Sequence, residues 1–153
     1  MINFKNEENE LIQKNYPLIY KFIKNFLLRH KKELPKIIKV KIYNKVDYDI
    51  ENTSLTSNIK RFEVIAPDYT LHINLIQLLN LYTGREKLSR EAGKNIKGFR
   101  KFLLFVLYHE LGHYNLKHHD NYDDYNFLKI IAENNCDSWA LNKLLQGQLE
   151  FDF

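Results

Sequence analysis

Phe102-Leu103-Leu104-Phe105-Val106-Leu107-Tyr108-His109-Glu110-Leu111-Gly112-His113 is a run of apolar residues that ends in two histidines and a glutamate. A helix that is apolar on nearly all sides is a buried one, so the run predicts a core helix starting near Gly98 and continuing into the histidines. Residues four apart on a helix share a face. His109 and His113 therefore present imidazole nitrogens to one neighbour, while Glu110 lies one step round. Polar groups at such depth are costly unless something satisfies them.

His109-Glu110-Leu111-Gly112-His113 matches the pattern H-E-x-x-H, in which two histidines hold zinc and the glutamate acts as a base. At zinc–nitrogen bonds of ~2.0–2.1 Å both imidazoles reach one ion, and Glu110 reaches a water beside it. Three protein ligands are usual in a catalytic zinc site. Glu133 is the candidate for the third, because Glu133, Asp137, Ala140, Leu141 and Leu144 fall along one helical stripe. Asp137 is placed to accept the outer N–H of a ligand histidine and fix its tautomer. His119 is the alternative third ligand, since His109, His113 and His119 have the spacing of the metzincin motif, although that motif carries a glycine where Leu116 stands and expects a later methionine, and the only methionine is Met1. Tyr108, Tyr114 and Tyr122 are candidates to donate to a tetrahedral oxyanion. Cys136 reads as a buried structural cysteine.

Working outward, Asn15 and Pro17 open a helix whose apolar positions Leu18, Ile19, Phe22, Ile23, Phe26 and Leu27 carry it to about Lys32, before Pro35. Ile37 to Tyr43 alternates as a strand. Glu51 to Asn58 reads as a loop, Arg61 to Ala66 as a second strand, Pro67-Asp68-Tyr69 as a turn, and Thr70 to Ile73 as a third strand. Asn74 caps a short helix through Leu81, which Thr83-Gly84-Arg85 ends. After an exposed connection at His118 to Asn121, a last helix runs from Asp123 or Asp124 to about Gly147. His30 and His72 read as surface or edge-strand groups. The expected fold is α+β, a small and largely antiparallel sheet packed on the motif helix, with a long C-terminal helix delivering Glu133.

The 153 residues, 44% apolar and 27% charged, predict one globular domain over 1–153. One cysteine excludes an internal disulfide framework and a four-cysteine zinc site. The opening residues lack the features of a secretory signal, and no stretch reaches the ~18 apolar residues of a membrane span. A cytoplasmic address with no membrane partner is the expectation. The net charge of +4 is spread along the chain, apart from Lys31, Lys32, Lys36, Lys39 and Lys41. No nucleic-acid motif accompanies that cluster, so a nucleic-acid partner is not expected, though salt-dependent binding would reveal one.

His109, Glu110, His113, Glu133 and Asp137 together resemble the gluzincin metallopeptidases. The stretch Cys136-Asp137-Ser138-Trp139-Ala140 looks like the ImmA/IrrE type, over about Phe99 to Leu145. The resemblance implies a zinc endopeptidase, an edge strand at Thr70 to Ile73 that holds substrate extended, and a polypeptide substrate such as a regulatory protein. The competing reading is a zinc-stabilised interaction module whose fourth coordination position is closed.

Overall fold

The computed structural model describes residues 1–44, 53–57, 69–84, 94–116 and 125–151, with backbone alone at 57, 125–130 and 147–151. Two compact units divide the chain, Met1–Gln77 and Leu78–Phe153. The fold is α+β. Among the described residues it has five α-helices and one four-stranded sheet.

In the first unit, β1 (Ile2–Asn3) is followed by α1 (Glu7–Asn15), α2 (Pro17–Arg29), a 3-10 turn at Lys31–Glu33 and β2 (Ile38–Tyr43). Then come β3 (Ser54–Ser57) and β4 (Tyr69–Asn74). The spatial order is β1-β2-β4-β3. The sheet is mixed rather than largely antiparallel: β2 runs parallel to both β1 and β4, and only β3 is antiparallel to its neighbour β4. Alternation told which face of each strand is buried but not which way the strand runs. A parallel pair needs a crossover of a dozen or more residues, and the long connection between β2 and β4 provides the length. Val40 opposite Leu71 and Ile42 opposite Ile73 are fully buried in this register.

Further expectations change here. Ser54–Ser57 is a strand, not a loop, because Leu55 is buried opposite Leu71 and anchors an otherwise polar segment. β4 is paired on both sides, so Thr70 to Ile73 is not an edge that could accept an extended substrate, and His72 lies on a central strand. The strand expected at Arg61 to Ala66 lies outside the described residues.

Helix α1 has no counterpart in the apolar pattern, since Leu11 is 60% exposed and Ile12 is its one buried apolar residue. A buried amide holds it instead. Asn9 is 1% exposed; its Nδ2 donates to the carbonyls of Phe4 and Val40 at 2.7 and 2.8 Å, and its Oδ1 accepts from Ile42 N–H at 2.8 Å. The amide thus satisfies β2 backbone groups beyond the reach of the two-residue β1. Asn6 caps α1 by accepting from Asn9 N–H at 2.9 Å. Asn15 ends α1 rather than capping α2, while Pro17 does occupy the first turn of α2.

Helix α3 (Leu75–Thr83) begins as expected at Asn74, whose Oδ1 accepts from Gln77 N–H at 3.1 Å. In the second unit, α4 (Phe99–Asn115) and α5 (Tyr125–Phe151) pack against each other. Every residue of α4 from Leu107 to His113 is buried, which is what its nearly unbroken apolar sequence requires. Gly98, at φ 94, starts α4 in a conformation that favours glycine. No helix among the described residues is long and apolar enough to cross a membrane.

Candidate metal centre

Helix α4 carries His109, Glu110 and His113, which are 4%, 8% and 7% exposed. Their low exposure follows from the packing of α5, whose small residues Ala132, Cys136 and Ala140 recur every four positions and are all buried. Glu133 and Asp137 flank that stripe. Leu141, which the sequence pattern aligned with them, is 40% exposed and so lies off the seam.

Gly112 explains how closely the helices meet. A Cβ added there would lie 3.4 Å from the Cα and Sγ of Cys136 and from Cε3 of Trp139. That is the near limit of ordinary contact, so a larger side chain would have to push α5 away. One turn on from Cys136, the Trp139 ring meets the Tyr108 ring edge-on at 6.2 Å, and Lys143 Nζ lies 5.2 Å from the Trp139 ring centre. Gly112 sits on the same helix face as the two histidines, and its lack of a side chain lets the α5 carboxylates reach them.

The resulting contacts run through both nitrogens of His109. Its Nδ1 donates to Asp137 Oδ1 at 2.7 Å, and its Nε2 donates to Glu133 Oε2 at 2.8 Å. His113 Nε2 lies 3.3 Å from the other Glu133 oxygen, Oε1. The two imidazoles stand nearly perpendicular, 5.0 Å apart. Glu133 is thus the group on which both Nε2 atoms converge. Asp137 holds the opposite side of His109.

Burial works against a charge on His109. The hydrogen bonds to Asp137 and Glu133 and the negative charges of Glu110 and Glu133 outweigh it, raising the pKa from 6.5 to about 9. Burial likewise pushes Glu133 up, but the hydrogen bonds and charges of His109 and His113 hold it well below the usual carboxylate range. As an imidazolium, His109 is held between two carboxylates. Stability from this His109 proton is fully present below pH 6.5 and is lost as pH rises through about 9.

The residues present suit a zinc ion. Two imidazole nitrogens and a carboxylate are among the ligand types of catalytic zinc, and the carboxylate that receives the outer N–H of a zinc histidine has its counterpart in Asp137. Among the described residues, donor atoms of His109, His113 and Cys136 also lie within 4.8 Å of one another. Sequence spacing alone did not mark Cys136 as a donor. Its position three residues after Glu133 was the available signal, together with the glycine opposite. His119 and Tyr122 lie outside the described residues. Tyr108 is 7% exposed against Trp139, and Tyr114 is half-buried near the end of α4.

No curated protein matches the chain, and no solved structure does. Residues 96–150 match the model of the Peptidase U49 family, a span that takes in α4 and most of α5 and so includes His109, Glu110, His113, Glu133 and Asp137. It covers a little over a third of the 153 residues. The part of the chain that holds the candidate centre is therefore similar to a peptidase family.

Proposed function

We propose that the protein is a zinc-dependent endopeptidase, with His109, His113 and Glu133 as zinc ligands, Asp137 orienting His109, and Glu110 as general base. The observation that carries this reading is the convergence of two Nε2 atoms on one carboxylate, at 2.8 and 3.3 Å, while Asp137 occupies the remaining nitrogen of His109. A zinc ion at such a centre lowers the pKa of a water toward ~7 and polarises a peptide carbonyl. Glu110, adjacent in sequence to His109 and one step round the helix, would accept the proton of the attacking water and return one to the leaving amine. Asp137 keeps the His109 Nδ1 proton in place so that Nε2 is the nitrogen offered to the ion.

This arrangement is gluzincin-like in its spacing, with the glutamate and aspartate four residues apart on the second helix. The likeness to a peptidase family in the same segment supports hydrolysis of a polypeptide. By its resemblance to the ImmA/IrrE type, the substrate would be a regulatory protein in the cytoplasm. The test is direct. Protein reconstituted with zinc should carry about one ion per chain and cut a flexible polypeptide, a chelator should abolish cleavage, and added zinc should restore it. Chains that stay metal-free with zinc supplied would end the proposal.

Zinc uptake should also release protons. The imidazolium of His109 must give up its Nε2 proton to bind an ion, and with a pKa near 9 it is charged at pH 7. Roughly one proton from this group should therefore leave per zinc at pH 7, and affinity should weaken as pH falls. Calorimetric titration in two buffers of different protonation heat measures the number. Binding with no proton release would show that His109 is already neutral before the ion arrives.

A further inference from the structure

We infer that Cys136 is a second ligand group of the same centre, able to close it. This rests on the zinc reading above and concerns how that centre is regulated. Cys136 is fully buried, and its sulfur lies with donor atoms of both His109 and His113 inside 4.8 Å. It packs against Gly112, on the α4 face that carries both histidines; a Cβ there would stand 3.4 Å from the sulfur. A tetrahedral zinc with bonds of ~2.0–2.3 Å holds its donors roughly 3.3–3.8 Å apart. The three donor atoms are grouped more loosely than that, within 4.8 Å, so the sulfur would have to move toward the imidazoles to ligate.

The chemistry of the two ligand sets differs. With His109, His113 and Glu133 bound, one position stays open for the attacking water. If the Cys136 thiolate also bound, in place of that water, the centre would have four protein ligands, the closed arrangement of structural zinc sites, and Glu110 would have no water to deprotonate. In such a step the S–H bond would break, the sulfur would replace the ion's water, and the water and the thiol's proton would leave to solvent, without oxidation. The centre would then alternate between an open, hydrolytic form and a closed, latent one. A thiolate also biases the site toward soft ions such as zinc and against magnesium or manganese.

Cobalt(II) reads this out independently of hydrolysis, because a thiolate on cobalt produces a sulfur-to-metal charge-transfer absorption in the near ultraviolet. Cys136 is the only cysteine, so such a band has one possible source within the chain. The full chain loaded with cobalt should show the band. Cys136→Ala should lose it while retaining one cobalt per chain, and with zinc restored it should turn peptide over several-fold faster than the native chain. Stoichiometric cobalt without the band overturns the role of Cys136 and leaves the His109, His113 and Glu133 centre standing. Failure to bind cobalt at all overturns both. A metal-loaded Cys136→Ala that cleaves no faster overturns the latent form.

Discussion

Glu110→Gln should keep its zinc and lose at least ~10²–10⁴-fold in turnover, the range typical of lost general acid–base catalysis. The substitution preserves size and keeps a polar group at a position that is 8% exposed, so packing around α4 is undisturbed. It leaves both imidazoles, Glu133 and Asp137 untouched. What it removes is the carboxylate that takes a proton from water, and an amide cannot replace it. Bound zinc and peptide turnover, measured on the same sample, separate the two properties. Loss of zinc in this variant would move Glu110 into the ligand set, and unchanged turnover would remove it from the chemistry.

Glu133→Ala should behave in the opposite way, with a sharp fall in zinc affinity that takes activity with it. Here the lost group is the one that touches both histidines, at 2.8 and 3.3 Å. Metal binding is coupled to folding, so the zinc-loaded variant should also melt at a lower temperature than the zinc-loaded native chain. Asp137→Ala gives the internal scale. Its contact is to the outer nitrogen of His109 at 2.7 Å, so a milder loss of roughly 10–100-fold in affinity or activity is expected. A Glu133→Ala chain that keeps full zinc while His119→Ala loses it would transfer the third position to the histidine.

How much of this could be read beforehand depended on the kind of signal each element carries. The helix from Phe99 and the strand from Ile38 were legible because their burial is apolar and periodic. Pro17 and Asn74 marked helix starts because ring geometry and side-chain capping are local properties of single residues. Helix α1 was invisible to the same method, since a buried asparagine rather than an apolar stripe docks it, and hydrogen bonds to a strand some thirty residues away leave no local trace. Strand direction in the sheet was equally hidden. The period of two is the same for parallel and antiparallel pairs.

At the candidate centre the division is similar. Helical spacing put His109 and His113 on one face and Glu133 and Asp137 on another helix at matching intervals. It did not say which nitrogen meets which carboxylate, because that depends on how α4 and α5 approach. The approach turns on Gly112 and Cys136, whose sizes matter only once they are opposite each other. A glycine inside a helix-forming run reads from sequence as a weakness. In the folded chain it is the gap through which the second helix comes close.

The placement of Trp139 has an optical consequence. It is the chain's single tryptophan, and its ring is wedged on the α4–α5 seam between Tyr108 and the Lys143 ammonium, two positions beyond Asp137. Indole emission depends on the polarity and charge around the ring, so one native chromophore stands beside the residues proposed to hold the ion. A change in how α5 lies on α4 alters that ring's surroundings directly. The protein thus carries its own fluorescent gauge of the seam, readable without any attached dye.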